Sequence, residues 1–265
     1  MYSLSEIWIY PIKSLGGIRL EKTEIGVKGL EGDREFMLVD ESGNFISQRN
    51  HPKLNQLTVS IEKDVFVVTD KRNGNQLSIL KNWTDKYTRT AQIWNNLVEV
   101  IKGDPTIDVW FSDFLTIPCS LVYLPKNASR QVDLDYAPIG TETTLTDGFP
   151  FLIIGQEALN NLNNKLAKPV EMTRFRPNLV FTGGHAHDED NWDQFQIGKA
   201  TFKRVKPCAR CLVTTLDLET SQPGKEPLKT LATYRRQNNK IYFGQNLISQ
   251  NLGTLKVGDP IQPIL

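Results

Sequence analysis

The sequence predicts an α+β protein that is mainly β, and three observations support this fold class. Short runs that alternate apolar and polar residues, bounded by Gly, Pro and Asn, fill much of the first 80 residues. Helical spacing of apolar residues is found at 107–115 and 157–166, and a proline near the first turn begins a third, short helix at 227–234. The length of 265 residues allows one large domain or two ordinary ones.

The first part of the chain is predicted to consist of short strands. Residues 4–9 alternate apolar and polar side chains, and Pro11 ends this strand. Further strands are expected at 35–39, 45–47, 57–61, 65–69 and 76–80, with turns at 41–44 and at Asn73-Gly74. Residues 107–115, with Trp110, Phe111 and Phe114, form a packed helix, and 120–123 form the next strand.

The second part of the chain mixes strands with two helices. Residues 127–145 form a polar, irregular connection that we expect to border a site. Strands are predicted at 151–154, 179–182 and 200–205, where Pro207 ends the last of them, and at 212–216. Helices are predicted at 157–166 and 227–234, and strands and turns at 243–246 and 253–261 close the chain.

Charge and cysteine content limit the partners and the cellular compartment that we expect for this protein. The net charge is +1, from 31 basic and 30 acidic side chains, so neither nucleic acid nor a membrane surface is expected as a partner. Three cysteines do not make a disulfide framework, which favours a reducing compartment. The N-terminus lacks a basic region followed by a long apolar run, and no window is long enough to span a bilayer. We expect a soluble, cytoplasmic protein.

The most informative segment contains Cys208 and Cys211, which are separated by two residues. Lys203, Arg204 and Lys206 lie just upstream. Neighbouring cations lower the pKa of a thiol and favour the thiolate, which is the form that binds metals and attacks electrophiles. The flanking predicted strands place the pair in a loop between them. A loop held by two strands is typical of a functional site.

Three other interpretations of the pair remain open. A zinc site needs four ligands, so His51, Cys119, His185 or His187 would have to complete it. A thioredoxin-like pair should begin a helix, which the β-branched residues 213–215 disfavour. Buried thiols can also be apolar filler. This last interpretation suits Cys119 better than Cys211, because Arg210 would have to be buried or turned away.

Several turns carry cations that could bind an anion. Lys13 and Ser14 precede Gly16 and Gly17, and Arg34 follows a glycine-rich segment at 26–32 that lacks the P-loop order. Arg174 and Arg176 flank Phe175, and alternation in a strand would direct both guanidinium groups to one side, as a fork for phosphate or carboxylate. Solvated turns and surface salt bridges explain each of these features equally well when it is taken alone.

The ordered set of motifs resembles the MOSC family, whose members are related to the C-terminal domain of molybdenum cofactor sulfurase. Within that family it is most similar to the amidoxime-reducing component group. The motifs are Tyr-Pro-Ile-Lys-Ser at 10–14, Gly-Asp-Arg at 32–34, Phe-Arg-Pro-Asn at 175–178, Cys-Ala-Arg-Cys at 208–211, Lys-Glu-Pro-Leu at 225–228, Phe-Gly-Gln at 243–245 and Val-Gly-Asp-Pro at 257–260. The resemblance covers nearly the whole chain. It implies an N-terminal β domain at 1–121 and a MOSC β-barrel-like domain at 122–265, with a cofactor between them.

The resemblance also implies a molybdenum cofactor, in which a pterin dithiolene and one protein thiolate hold the metal. The thiolate falls on Cys211, as the metal ligand and catalytic residue, and Cys208 is left as a packing residue. The residues that fall where relatives hold the pterin and its phosphate are Lys13, Ser14, Arg34, Asp147, Arg176, Asn178 and Arg210. A soft thiolate suits such a metal, and a phosphate-bearing pterin needs Lys, Arg and backbone donors.

The function that the resemblance implies is two-electron reduction of small N-hydroxylated or N-oxygenated substrates. No cysteines follow Cys211, and no Gly-x-Gly-x-x-Gly fingerprint is present. We therefore expect neither a fused iron–sulfur domain nor a bound flavin, and no membrane anchor, so that electrons come from a separate donor protein. The alternative is a carrier or transfer protein for the cofactor or its sulfur, without turnover of its own.

Overall fold

The computed structural model describes residues 1–81, 83 and 87–264, and these residues form a mainly β, α+β protein. The strands of the first part are β1 (Tyr2–Ile9), β2 (Ile18–Leu20), β3 (Lys22–Gly26), β4 (Gly29–Leu30), β5 (Phe36–Val39), β6 (Leu57–Glu62), β7 (Val65–Asp70), β8 (Gln76–Leu80), β9 (Thr88–Ile93) and β10 (Asn96–Lys102). Helix α1 (Pro105–Leu115) and strand β11 (Ser120–Tyr123) follow. The predicted fold class is confirmed.

The second part contains two helices and eight further strands. They are β12 (Phe151–Gly155), α2 (Gln156–Asn163), β13 (Leu179–Thr182), β14 (Gln194–Ile197), β15 (Ala200–Ala209), α3 (Leu228–Leu231), β16 (Arg236–Gln237), β17 (Lys240–Ser249), β18 (Gly253–Lys256) and β19 (Pro260–Ile264). Single turns of 3-10 helix occur at Pro52–Gln56, Met172–Phe175, Asp188–Asn191 and Leu212–Thr215. None of the helices among the described residues has the length and apolar character needed to cross a bilayer.

Seven strands close into a barrel. Their order is β12, β13, β1, β19, β14, β15 and β17, and β17 pairs back onto β12, with Phe151 opposite Leu247. The rings of Phe151, Phe195 and Phe202 pack together in the core cluster of these strands, at centroid distances of 5.2 and 5.8 Å. Strand β1 lies between β13 and β19, so the first residues of the chain belong to a barrel built mostly from its last 115. The domain division at residue 121 stays a prediction.

Strands β2 and β16 pair with β1 and β17, and the other strands form three smaller sheets. One contains β5, β11, β10 and β9, a second contains β6, β7 and β8, and a third contains β18, β3 and β4. Helix α1 packs its buried face, Ile107, Phe111, Phe114 and Leu115, into a core cluster that also contains Phe36. Asp104 caps this helix by accepting a hydrogen bond from the Thr106 N–H, which sets its start two residues before the predicted one.

Two predictions around the cysteine pair are wrong. Pro207 does not end the strand, because β15 continues to Ala209 through register shifts between Arg204 and Lys206 and between Pro207 and Ala209. Such irregularities accommodate a residue that has no N–H to donate. Residues 212–216 do not form a strand, because the Thr214 and Thr215 hydroxyl groups donate to the carbonyls three residues earlier, at 2.9 and 2.8 Å, and support a 3-10 turn.

The arginine fork is also formed differently from the prediction. Arg174 lies within the 3-10 turn Met172–Phe175, and Arg176 follows it with a left-handed backbone, at φ 53°. Strand alternation therefore does not place the two side chains. The predicted helices at 157–166 and 227–234 are shorter than expected and end at Asn163 and Leu231.

Candidate functional site

A cavity of about 820 Å³ is lined by residues from both halves of the chain. Its wall combines the 13–14 turn, Arg34, residues 47–49, the β9–β10 turn, residues 146–149, the 174–178 segment, the end of β15 and the 3-10 turn after it. This volume lies within the usual range of about 300–1,000 Å³ for small-molecule sites. All eight residues that the sequence marks as site candidates line it: Lys13, Ser14, Arg34, Asp147, Arg176, Asn178, Arg210 and Cys211.

The cavity wall is strongly basic, although the whole chain is nearly neutral. Among its described lining residues, Asp147 is the one acidic side chain. The basic ones are Lys13, Arg34, Arg49, Arg174, Arg176, Lys206, Arg210 and Lys240. Like charges held this close repel one another unless an anion lies between them. The wall is therefore suited to a ligand that carries several negative charges.

Arg34 and Arg176 meet on the ring of the buried Tyr10. Their guanidinium carbons lie 4.3 and 4.1 Å from its centroid, and Arg34 Nη2 donates to the carbonyl of Arg176 at 3.2 Å. Arg34 also donates to both carboxylate oxygens of Asp33, at 2.8 and 2.7 Å. Burial and the charge of Arg34 lower the pKa of Arg176 to about 10. Arg176 therefore stays protonated at neutral pH, and both guanidinium groups present N–H donors in fixed planes.

Lys13 and Asp147 form the second charged pair of the site. Lys13 is only 6 % exposed, and its ammonium donates to Asp147 Oδ1 at 2.6 Å and to the Leu145 carbonyl at 3.0 Å. Burial lowers the pKa of Lys13, and Asp147 partly opposes this shift. For Asp147, desolvation by the cavity wall raises the pKa, but the charge and hydrogen bond of Lys13 outweigh it and hold the pKa well below its usual range. Asp147 is ionised at neutral pH.

Three of the candidate residues share an unusual backbone conformation. Ser14, Arg34 and Arg176 have positive φ angles of 72°, 48° and 53°. Side chains other than glycine rarely adopt this left-handed region, and such residues concentrate at ligand sites. The motifs at 10–14, 32–34 and 175–178 are therefore tight turns that bring their polar side chains to one cavity.

The two cysteines have different surroundings, although both line the cavity. Cys208 packs against the core cluster that includes Phe175, and it accepts a hydrogen bond from Arg210 Nη1 at 2.8 Å. The other end of the Arg210 guanidinium donates to the Phe175 carbonyl. Cys211 precedes the 3-10 turn Leu212–Thr215, and its carbonyl accepts from the Thr214 N–H at 3.1 Å. The backbone thus fixes Cys211, while Arg210 and the core hold Cys208.

Asn178 lines the cavity but mainly joins strands. It is 2 % exposed, its Oδ1 accepts from the Leu152 N–H at 3.2 Å, and its Nδ2 donates to the Trp8 carbonyl at 3.2 Å. Strands β1 and β12 are therefore bridged by this side chain. One Nδ2 hydrogen is left to face a ligand.

Some lining residues were not identified from the sequence. Arg49 and Trp94 stand at the mouth beside Asp147, and Lys240 lies on β17. Strands β9 and β10, whose turn carries Trp94, were not predicted either. Their signal is present in the alternation of residues 88–93 and 98–101. Arg49 has no local signal, because its position at the site depends on where the turn at 94–95 lies.

The remaining cysteine and the histidines give no support to a zinc site. Within residues 1–81, 83 and 87–264, no three His, Cys, Asp or Glu side chains form a group that could hold a metal ion. Cys119 is buried beside Ser112, and burial raises the pKa of its thiol, so its prediction as apolar filler is confirmed. His187 is partly buried between Tyr234 and Phe243.

Comparison with known proteins fits this geometry. A model of the MOSC N-terminal beta barrel domain matches residues 1–118, and a model of the MOSC domain matches residues 140–262. Mitochondrial amidoxime-reducing component 1 from Homo sapiens is 31 % identical over 98 % of this chain and 82 % of its own length. The chain belongs to the MOSC-domain family.

Two other known proteins are also similar to this chain. Molybdenum cofactor sulfurase from Oryza sativa subsp. japonica is 31 % identical over 91 % of this chain but only 32 % of its own length. The solved YUAD protein from Bacillus subtilis covers 98 % of this chain and 94 % of its own at a TM-score of 0.44 and 12 % identity. The MOSC-domain family thus contains proteins named for a reduction and proteins named for sulfur transfer to a cofactor.

Proposed function

We propose that this MOSC-domain protein is a molybdenum-cofactor-dependent oxidoreductase that reduces N-hydroxylated or N-oxygenated small molecules with electrons from a separate reductase. The proposal is supported by amidoxime-reducing relatives that align over nearly the whole chain. The three free cysteines fit a reducing compartment, and we place the protein in the cytoplasm.

The observation that carries this proposal is the basic cavity with a thiol on its wall. Eight cationic side chains and one acidic side chain line about 820 Å³ of space. The pterin of a molybdenum cofactor bears a phosphate and dithiolene sulfurs, and it needs both charge-assisted donors and room. The residues present therefore fit the group.

The individual roles follow from the contacts. Arg34, Arg176, Lys13 and Ser14 would hold the phosphate and the polar edge of the pterin, because all four line the cavity and three of them are cations. The Cys211 thiolate would hold the metal, since soft sulfur suits molybdenum. When bound, the cofactor supplies the two electrons that cleavage of the N–O bond requires.

The chain itself binds and orients the reactants. Reduction of an amidoxime takes up two electrons and two protons, breaks the N–O bond and releases water and the amidine. Asp147 is ionised and already accepts from Lys13, so it can orient a substrate N–H but does not donate a proton at neutral pH. The Asp147 side chain is 61 % exposed, so arriving substrate can reach it.

The second candidate is a carrier of the cofactor or its sulfur without turnover. The likeness to molybdenum cofactor sulfurase favours it, because that relative is named for sulfur transfer. Both functions use the same cavity and the same thiol, so binding of the cofactor alone does not separate them.

One experiment tests both functions. The protein is made in a host that synthesises the molybdenum cofactor, its metals are measured, and benzamidoxime reduction is assayed with a viologen donor. We expect stoichiometric molybdenum and turnover. Zinc without molybdenum would refute the proposed function, and molybdenum without turnover would favour the carrier. With NADH as the only reductant we expect no turnover, because the sequence carries no motif for an internal electron path.

A further inference from the structure

The segment after Cys211 is a single 3-10 turn, Leu212–Thr215, whose far end is buried. Thr214 and Thr215 are 2 % and 3 % exposed, whereas Leu212, next to the cysteine, is 70 % exposed. A 3-10 turn of this length has few and poorly aligned hydrogen bonds of its own, so its orientation depends on what holds its ends. The position of the Cys211 thiol therefore depends on contacts outside the turn.

Two side chains hold the backbone directly after this turn. Arg174 Nη1 donates to the Leu216 carbonyl at 2.6 Å, and Asn55 Nδ2 donates to the Asp217 carbonyl at 2.8 Å. Arg174 belongs to the cavity wall. Asn55 comes from the 3-10 turn Pro52–Gln56 in the first half of the chain, 162 positions away in sequence. The first half of the chain therefore holds the segment that carries the thiol.

Asn55, Gln56 and Ser221 form a network of buried side chains, which we call the amide network. Gln56 Nε2 donates to Asn55 Oδ1 at 2.8 Å and to Ser221 Oγ at 2.7 Å, and Ser221 Oγ donates to Asn55 Oδ1 at 2.5 Å. The three residues are 8 %, 6 % and 9 % exposed. Ser221 has a left-handed backbone, at φ 61°, which persists where the surroundings hold the residue. A buried network whose members bond one another makes the backbone around it rigid.

We propose that the amide network positions the Cys211 thiol for the cofactor by fixing Asp217, just beyond the end of the turn. The members of the network are not found among the described residues that line the cavity, so they are positioning residues that act through the turn. A displacement of about 1 Å at a site is costly, which gives such distant residues an effect on the metal. This inference rests on the proposed function and assigns the position of the proposed metal ligand to the first half of the chain.

The test compares two variants of the amide network with two controls. Asn55→Asp keeps the shape of the side chain and its acceptor oxygen but loses the Nδ2 donor, and Ser221→Ala removes the hydroxyl group. Lys71→Ala is the first control, because this exposed lysine donates to a carbonyl of the same loop at 2.7 Å. Val68→Ala is the second control, because it removes buried apolar contacts from β7 and so lowers stability without touching the network.

The first measurement is the rate at which iodoacetamide alkylates each cysteine of the cofactor-free protein, followed by mass spectrometry. Cys211 should react at least about threefold faster in both network variants, because the freed turn increases access to the thiol. The rate of Cys208 should stay within about twofold, because Arg210 and the core hold that side chain. Both controls should give the wild-type rate at Cys211.

The second measurement uses the cofactor-loaded protein. Molybdenum content after gel filtration gives the retention of the metal, and the thiolate-to-molybdenum charge-transfer absorption reports the bond to Cys211. We expect roughly 10-fold weaker retention and a weakened absorption band in both network variants, as for other residues that orient a metal ligand. Val68→Ala should lower the free energy of unfolding but keep the wild-type absorption band.

Three results would overturn the inference. They are a wild-type alkylation rate of Cys211 in both network variants, an equal increase of that rate in the controls, and unchanged molybdenum retention in both network variants. Failure of the proposed function looks different, because the wild type would then bind no molybdenum. The alkylation rates would still show whether the amide network positions the thiol.

Discussion

Arg34 and Arg176 are 142 positions apart in sequence, yet their guanidinium groups lie on the same tyrosine ring, at 4.3 and 4.1 Å from its centroid. Arg34 is tied to the buried Asp33, whereas Arg176 donates to the Leu15 carbonyl at 2.7 Å. The two arginines thus form one donor surface, but the loss of Arg34 would also leave a buried carboxylate without its partner. Arg176 is the better residue with which to test anion binding.

Arg176→Ala should release the molybdenum cofactor. Removal of one charge-assisted donor costs about 1.5–3 kcal/mol of binding, so we expect roughly 10- to 100-fold weaker retention of molybdenum and pterin. Metal and pterin content after gel filtration measures this. Arg19→Ala is the matched control, because Arg19 is exposed and makes a single long contact, of 3.4 Å, with the Ser5 carbonyl. Equal retention in the two variants would exclude Arg176 from the cofactor site.

Cys211→Ser should abolish N-reduction, even where the protein still retains pterin through its phosphate contacts. Cys208→Ser should keep substantial activity, with a loss of at most about 10- to 100-fold, because Cys208 contacts Arg210 and the core and is not the proposed metal ligand. The assay is benzamidoxime reduction with a viologen donor, with pterin content measured in parallel. An equal loss in both variants would favour an interpretation that needs the pair, such as a disulfide.

Asn178→Ala should lower stability rather than cofactor binding. The substitution leaves the Leu152 N–H and the Trp8 carbonyl without their side-chain partner in a buried place, which costs roughly 2 kcal/mol. Urea unfolding of the variant and the wild type measures this loss in the free energy of unfolding. Molybdenum retention by the folded variant should stay close to the wild-type value, in contrast to Arg176→Ala. A normal unfolding free energy together with lost molybdenum would show that Asn178 mainly serves the cofactor.

Glu189 and His187 should give opposite pH dependences of stability. Burial raises the pKa of Glu189 to about 7, so between about pH 4.5 and 7 the folded protein holds a proton that the unfolded chain has lost, and stability falls as pH rises. Burial and the charge of Arg235 lower the pKa of His187 to about 4. Between about pH 4 and 6.5 the unfolded chain therefore binds a proton that the folded protein does not, and stability rises with pH.

The two contributions oppose each other in the wild type, and single substitutions should separate them. Relative to wild type, the free energy of unfolding of Glu189→Gln should increase with pH between 4.5 and 7, by up to about 1.4 kcal/mol per pH unit. That of His187→Asn should decrease between pH 4 and 6.5. Urea unfolding at several pH values measures both, with the exposed His185→Asn as control. If the free energy of unfolding depends on pH in the same way in all the variants and the wild type, the shifted pKa values of Glu189 and His187 are contradicted.

The sequence by itself determined the fold class and most strands. The short apolar runs at 57–61, 65–69 and 76–80 predict β6, β7 and β8 almost to the residue, because the turns between these strands are short. The motifs at 10–14, 32–34, 175–178 and 208–211 name side chains that prove to line one cavity. The local sequence pattern carries this information, because strand positions and turn motifs depend on residues that are neighbours in the chain.

Only the tertiary structure decided how those residues meet. The strand predicted after Cys211 is a 3-10 turn, because two threonine hydroxyl groups bond to the preceding carbonyls. The left-handed backbones of Ser14, Arg34 and Arg176 follow from the packing of turns from both halves, which no short window of sequence contains. Arg49 joins Trp94 and Asp147 for the same reason. Contacts between residues that are 45 or more positions apart in sequence depend on how the sheets pack together. These contacts determine the chemistry of this cavity.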